Sequence, residues 1–183
     1  MYKMRTPRAW LLAMVLSLVC GSAMANQPLE AFFGQYIGQT SETEDGESIR
    51  RDLSVTIGPT AKQGFFVKWT TVVEKANKKL KRKAYEIKFR RSRREGIYSS
   101  AMKTNVFGGQ IALDPLKGDP FVWARIKGDT LTVHTLVITE DGGYEMQVYD
   151  RTLNEKGMLL EFHRYRSGDE LRQVTAQLVR VAD

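Results

Sequence analysis

Hydrophobic and polar side chains alternate along most of the chain beyond residue 33. In one segment Phe65, Val67 and Trp69 share one parity, while Lys68 and Thr70 share the other. Successive side chains of a strand point to opposite faces, so this period of two predicts antiparallel strands with one apolar face and one polar face. The pattern indicates an all-β protein.

Turn-forming residues separate these segments at intervals typical of hairpins. The segments between the turns predict ten strands, at 34–40, 50–57, 64–74, 80–90, 96–102, 121–127, 130–139, 143–153, 158–166 and 170–181. A single helical turn is predicted at 28–33. One long irregular stretch, 103–120, contains Pro115 and Pro120, which disfavour a central strand.

Ten sequential antiparallel strands leave two exposed edges if the sheet stays open, and such edges promote aggregation. Closing the sheet on itself removes both edges. We therefore predict an antiparallel up-and-down meander that closes into a barrel. A two-sheet β-sandwich is the alternative.

The first 25 residues have the pattern of a cleavable secretory signal. Basic residues at 3, 5 and 8 precede an apolar run over 9–20, and the sequence Ala23-Met24-Ala25 ends the segment. We predict cleavage after Ala25, with a single β-barrel domain over 26–183 in a periplasmic or secreted location. Val19 does not suit a lipoprotein signal, which would retain Cys20 in acylated form. Cys20 would therefore be discarded with the signal.

Removing the predicted signal leaves 158 of the 183 residues and no cysteine. A disulfide-stapled fold and a cysteine nucleophile are therefore excluded for the mature chain. The mature chain has 25 basic and 21 acidic residues, a formal charge of +4. Residues 75–94, called here the basic segment, hold eleven of the basic residues and one acidic residue.

The start of the predicted barrel carries a short motif, Gly34-Gln35-Tyr36. It resembles the Gly-x-Trp of lipocalin-like (calycin-type) barrels, with Tyr36 in the place of Trp. In such proteins an arginine on the last strand packs over this aromatic ring, and Arg172 and Arg180 are the two candidates. The chain is also similar to exported bacterial proteins to which no function is assigned. The lipocalin-like resemblance implies a barrel whose interior holds a small apolar ligand.

Aromatic and long apolar side chains within the predicted strands are candidates to line that interior. We predict that a small apolar or amphipathic ligand contacts Trp69, Tyr85, Trp123, Met146 and Phe162. Arg125 shares the parity of Trp123 and would clamp an anionic head group. The alternative is that these side chains only pack the core.

The basic segment is the strongest charge feature of the chain. We predict that it contacts an anionic envelope surface, such as lipid, lipopolysaccharide or an acidic protein, through Lys81, Lys83, Lys88, Arg90, Arg91, Arg93 and Arg94. The alternative is an ordinary solvated face. Nucleic acid is not an expected partner of an exported chain, and the sequence leaves the oligomeric state open.

No catalytic or metal-binding motif accompanies these features. The sequence has no nucleophile elbow, no HExxH, no phosphate loop and no dinucleotide-binding glycine motif. His134 and His163 lack recognisable partners for a metal or haem. We predict a non-enzymatic protein without cofactor or metal; an enzyme with dispersed catalytic residues is the alternative.

Overall fold

A computed structural model describes residues 26–44, 47–60, 63–74, 79–100, 103–104, 110–111 and 113–182. The predicted signal segment, 1–25, lies outside the described residues, as does the tip of the basic segment, 75–78. No helix in the described ranges is long and apolar enough to cross a membrane.

Ten strands form one closed antiparallel barrel, in which each strand pairs with its neighbours along the chain and the last pairs with the first. The barrel strands are β1 (Gly34–Glu44), β2 (Glu47–Thr60), β3 (Gly64–Glu74), β4 (Leu80–Arg91), β5 (Ile97–Ser100), β8 (Phe121–Lys127), β9 (Thr130–Ile138), β10 (Tyr144–Asn154), β11 (Gly157–Arg166) and β12 (Asp169–Ala182); β6 (Lys103–Thr104) and β7 (Gln110–Ile111) form a separate two-stranded sheet. The predicted all-β meander is confirmed, and the sandwich alternative is wrong.

The predicted irregular stretch at 103–120 contains more structure than expected. Besides the small β6–β7 hairpin, it holds a 3₁₀ turn at Pro115–Lys117. The Asp114 carboxylate accepts a hydrogen bond from the Leu116 amide, which caps this turn as Asp side chains commonly do. The earlier helical turn is a 3₁₀ turn at Leu29–Phe32.

One end of the barrel interior is filled by apolar side chains and is called here the closed half. Phe32, Phe65 and Phe89 are all 0 % exposed. The rings of Phe65 and Phe89 stack at 4.8 Å between centroids, and Tyr98 meets Phe65 edge-on at 5.0 Å. Burial of such large apolar surfaces is the main source of stability for a chain without disulfides.

Arg180 joins the first and last strands to the 3₁₀ turn below them. Its Nη2 donates to the backbone oxygen of Ala31 and to the hydroxyl of Tyr36, each at 2.7 Å. The Tyr36 hydroxyl in turn donates to the backbone oxygen of Phe32 at 3.0 Å. Of the two arginines predicted to cover Tyr36, Arg180 is therefore the one that does so.

Gly34 allows the chain to enter β1 beside the last strand. Its φ is +139°, and a Cβ at this position would lie 2.8 Å from the backbone oxygen of Ala182. A residue with a side chain would meet both an unfavourable backbone conformation and a steric clash. The glycine of the predicted motif is thus required by the closure of the barrel.

Candidate functional site

The half of the interior opposite the closed half is reached by solvent and is called here the open half. Its inward-facing side chains include Trp69, Tyr149 and Phe162, which are partly exposed. Tyr85, which lies opposite Trp69 in the β3–β4 pair, is 51 % exposed. Because equally apolar rings in the closed half are 0 % exposed, the barrel is filled at one end and accessible at the other.

Aromatic rings from four strands meet in the open half. Trp69 stacks on Tyr85 at 5.3 Å between centroids and contacts Tyr149 at 5.5 Å. Tyr149 contacts Phe162 at 4.7 Å. The strands of Trp69 and Tyr149 are not neighbours in the barrel, so this contact crosses the interior. Three of the residues predicted to line a ligand site are thus brought together.

Arg151 lies beneath these rings and is 1 % exposed. Its Cζ is 5.8 Å from the centroid of the Trp69 ring and 5.4 Å from that of Tyr149. Its Nη1 donates a 3.4 Å hydrogen bond to the Tyr149 backbone oxygen, and its Nε has no hydrogen-bond partner in the part of the chain that the structure describes. Within the described part of the chain, no carboxylate forms an ion pair with it.

The electrostatics of Arg151 are set by its burial. Desolvation lowers the pKa of its guanidinium to about 10, against smaller opposing effects from Tyr149 and Asp150. The nearest acidic residue in sequence, Asp150, has the outward parity, and its carboxylate accepts a hydrogen bond from the Thr132 hydroxyl. The group therefore remains a buried cation at neutral pH, stabilised chiefly by the faces of two aromatic rings.

A chain of hydrogen bonds runs along β10 from the interior to the rim of the open half. The Tyr149 hydroxyl donates to Gln147, and the Gln147 amide donates to Glu145. Glu145 also accepts two hydrogen bonds from Arg164, at 2.8 and 2.7 Å. Residues two apart on a strand share one face, which is why alternate side chains of β10 can form this continuous row.

At the rim of the open half, Glu145 and Arg164 form an ion pair. The Arg164 guanidinium is the main cause that holds the pKa of Glu145 below its usual range, and Glu145 raises the pKa of Arg164. Burial raises the pKa of Tyr149. Since Glu145 and Arg164 compensate each other, Arg151 is left as the charge without an acidic partner in this row.

Three predicted ligand contacts lie on the outer face of the barrel, contrary to the expectation that they line its interior. In β8 the side chains of Val122, Ala124 and Ile126 take the inner face and are almost fully buried. Trp123 and Arg125 therefore point outward, and Met146 lies outward on β10, opposite Leu136 and Tyr165. In β8 both parities carry apolar residues, whereas in β10 the more polar parity, which includes Gln147 and Arg151, is the one that faces inward.

The outward Trp123 stacks on the imidazole of His134, with centroids 4.6 Å apart and planes 16° from parallel. Burial is the first cause that lowers the pKa of His134, and the charge of Arg125 is the second. His163 also lies on the outer face and pairs with Glu170. The described residues contain no group of three or more His, Cys, Asp or Glu side chains that could hold a metal ion.

Sequence reasoning missed Tyr149 and Arg151, the two residues that complete the open half. The signal that could have found them is the short turn between β10 and β11. A two-residue turn at 155–156 places Asn154 opposite Gly157, and hence Tyr149 opposite Phe162. If Phe162 faces inward, the parity of Tyr149 and Arg151 must face inward too.

The predicted cations of the basic segment follow β4 from one end of the barrel to the other. Lys81 and Lys83 lie at the open half, opposite Val73 and Thr71, while Lys88 lies further along β4. Arg90 and Arg91 lie near the end of β4, and Arg93 and Arg94 follow in the turn; all seven side chains are exposed. Lys81 and Arg91 are ten residues apart, roughly 33 Å along a strand. This far exceeds the screening length of about 8 Å, so the cations at the two ends of β4 are screened from one another.

A concavity of about 480 Å³ lies at the closed half rather than in the open interior. Its walls include Glu30, Phe33, Arg91, Tyr98 and Ile126. Two carboxylates, those of Glu30 and Glu95, line this cleft together with one guanidinium, that of Arg91, so its described lining carries no excess of positive charge. The open half is therefore the stronger candidate site.

Comparisons with protein-family models, with curated proteins and with solved structures find no match to the chain. The barrel's function is therefore inferred from its own side chains.

Proposed function

We propose that the barrel binds a small amphipathic anion, with its acidic head group near Arg151 and its apolar part among the rings of the open half. The observation that carries this proposal is the buried guanidinium of Arg151, whose Nε has no hydrogen-bond partner among the described residues. A buried charge without a counter-ion costs several kcal/mol of stability. A ligand carboxylate, sulfonate or phosphate would supply the missing charge and acceptor.

The surroundings of Arg151 suit the apolar part of such a ligand. Trp69, Tyr85 and Phe162 offer ring faces that remain partly accessible, and an apolar chain that covers them gains the free energy of removing that surface from water. The closed half is already filled by its own side chains. The ligand would therefore extend from Arg151 toward the rim.

We also propose that the protein is a lipocalin-like barrel. Support comes from the closed meander and from the contact of Arg180 with Tyr36, which matches the arrangement of such barrels at the first and last strands. Export to the periplasm or the medium remains part of the proposal, supported by the signal pattern of residues 1–25.

A binding role is preferred to catalysis because the carboxylate of the open half, Glu145, is already engaged in an ion pair. Glu145 is engaged by Arg164, and its pKa is lowered, which makes it a weak general base at neutral pH. An enzyme with dispersed residues is the competing hypothesis. Native mass spectrometry of protein purified from its own host tests the proposal: a co-purifying amphipathic anion supports it, and a co-purifying neutral or cationic ligand contradicts it.

A second candidate function is docking on an anionic partner through the basic segment. The observation in its favour is that Lys81, Arg82 and Lys83 are exposed and form no ion pair with other described residues. Lipid, lipopolysaccharide and acidic protein are the candidate partners. Binding that weakens steeply as salt is added would support this function, because exposed charges are screened.

A further inference from the structure

The strand β4 has a pairing gap along one edge. On one side it pairs with β3 continuously from Leu80 to Phe89. On the other side, in the described part of the chain, it pairs with β5 only from Phe89 to Arg91. From Leu80 to Lys88 this second edge therefore has no neighbouring strand among the described residues. The backbone N–H and C=O groups of alternate residues point to this edge, and none of them pairs with a described strand there.

Solvent exposure along the same stretch agrees with an accessible edge. Every residue from Leu80 to Glu86 is exposed, including those whose parity faces the interior. Leu80 is 69 % exposed and Tyr85 is 51 % exposed. No element of the described chain thus covers this part of β4.

The charge of this edge determines which strand could add to it. This stretch of β4 carries four cations, Lys81, Arg82, Lys83 and Lys88. Its one carboxylate, Glu86, lies 3.7 Å from Lys88, and Glu74 lies opposite Leu80 on β3. Lysines on an edge repel a second copy of the same edge. An acidic segment would be attracted by the same side chains.

The cations lie on both faces of the strand. This distribution favours an extended peptide over a membrane surface as the partner. Lys81 and Lys83 have the parity of Val73 and Thr71, while Arg82 and Lys88 have the opposite parity. A flat anionic surface meets one face only. An added strand projects alternate side chains to both faces, so its carboxylates can reach cations on each.

We propose that the edge of β4 from Leu80 to Lys88 binds an extended acidic peptide segment by strand addition. This proposal rests on the second candidate function and names its partner. Backbone hydrogen bonds would provide the register, and the four cations would select for acidic side chains. The edge is roughly 30 Å long, which suits a segment of about six to nine residues.

Synthetic nine-residue peptides of repeated Val-Glu-Glu, which carry carboxylates on both faces of an extended chain, test the proposal by fluorescence anisotropy with the protein. Two further versions carry backbone N-methyl groups, one on every second residue and the other on every residue, which leaves their charge unchanged. Strand addition uses the amides along one edge of the peptide, so we expect the first version to bind within about threefold of the parent and the second to lose at least tenfold in affinity. Equal binding by the parent and the fully N-methylated version would overturn strand addition.

Variants of the protein locate the site. The triple substitution Lys81→Gln, Arg82→Gln and Lys83→Gln is expected to weaken peptide binding at least tenfold, whereas the control Arg93→Gln with Arg94→Gln, beyond the open edge, should stay within twofold. Unchanged binding by the triple variant would overturn the proposal.

Vesicles that contain phosphatidylglycerol distinguish strand addition of a peptide from docking on anionic partners in general. Vesicle binding without peptide binding would overturn strand addition but leave docking on an anionic partner in place. Binding of neither probe would overturn both. Peptide binding accompanied by slowed amide exchange at residues 80–88 is the result expected.

Discussion

The guanidinium of Arg180 lies over the ring of Tyr36, with its Cζ 5.3 Å from the ring centroid. The same group donates to the Tyr36 hydroxyl and to the 3₁₀ turn at Leu29–Phe32. One side chain of the last strand thus closes the barrel against the first strand and fixes the turn that covers the closed half. This relationship predicts that the closure depends on a single buried hydroxyl.

Tyr36→Phe is expected to lower the free energy of unfolding by about 1–3 kcal/mol. The substitution removes an acceptor of Arg180 and the donor to the backbone oxygen of Phe32, and so leaves that buried oxygen without this hydrogen bond. Urea denaturation measures the effect. Tyr144→Phe is the matched control, since this ring is 40 % exposed and should change stability by less than about 0.5 kcal/mol. Equal effects of the two substitutions would refute the role given to Arg180.

Arg151→Met is expected to leave the free energy of unfolding of the ligand-free protein unchanged or to raise it by about 1 kcal/mol. Methionine keeps most of the apolar volume and removes a buried charge that has no acidic partner among the described residues. Leu160→Ala, opposite Arg151 in the β10–β11 pair, should instead cost about 2–5 kcal/mol. A loss of similar size in both variants would show that Arg151 is a structural residue.

The ion pair at the rim predicts a pH dependence. The pKa of Glu145 is lowered in the folded state by Arg164, so its contribution to stability is present above the unfolded value and is lost as the pH falls below about 4.5. The stability difference between the protein and Glu145→Gln should therefore shrink between pH 5 and pH 3. Thermal melts across this range measure it, and Arg164→Gln should abolish the same dependence. A constant difference would contradict the assignment.

Export predicts a defined N-terminus for the mature protein. Sequencing should begin at Asn26, and the mature chain should contain no thiol, because Cys20 would be removed. Denaturation midpoints with and without reductant should then coincide. A chain that retains residues 1–25, or one acylated at Cys20, would contradict the predicted location.

The strand positions could be predicted from the sequence because alternation and turn residues act locally. The face of each strand that points into the barrel was harder to predict. In β3 the polar Lys68 and Thr70 oppose apolar residues, so the inner face is unambiguous. In β8 the alternating sets around Trp123 and Val122 are both apolar enough to face inward. The side chains that share a face with Val122 are smaller, and only packing against the rest of the barrel places that face in the core.

Arg151 could not be assigned from its own sequence context for a related reason. An arginine on a strand is ordinarily exposed, and its neighbours give no sign of burial. Its environment is created by Trp69, more than eighty residues earlier in the chain, across the barrel interior. Contacts of this kind depend on closure and register and not on local pattern.

The measurement that tests the central claim most directly is the affinity of the protein for a matched pair of ligands, dodecanoate and dodecanol, by isothermal titration calorimetry. The account predicts that Arg151→Met weakens dodecanoate binding at least tenfold, about 1.4 kcal/mol, and leaves dodecanol binding within twofold. Arg125→Met, on the outer face, should leave both affinities unchanged. Equal dodecanoate affinity of the protein and Arg151→Met would contradict the claim that the barrel holds an anion at Arg151.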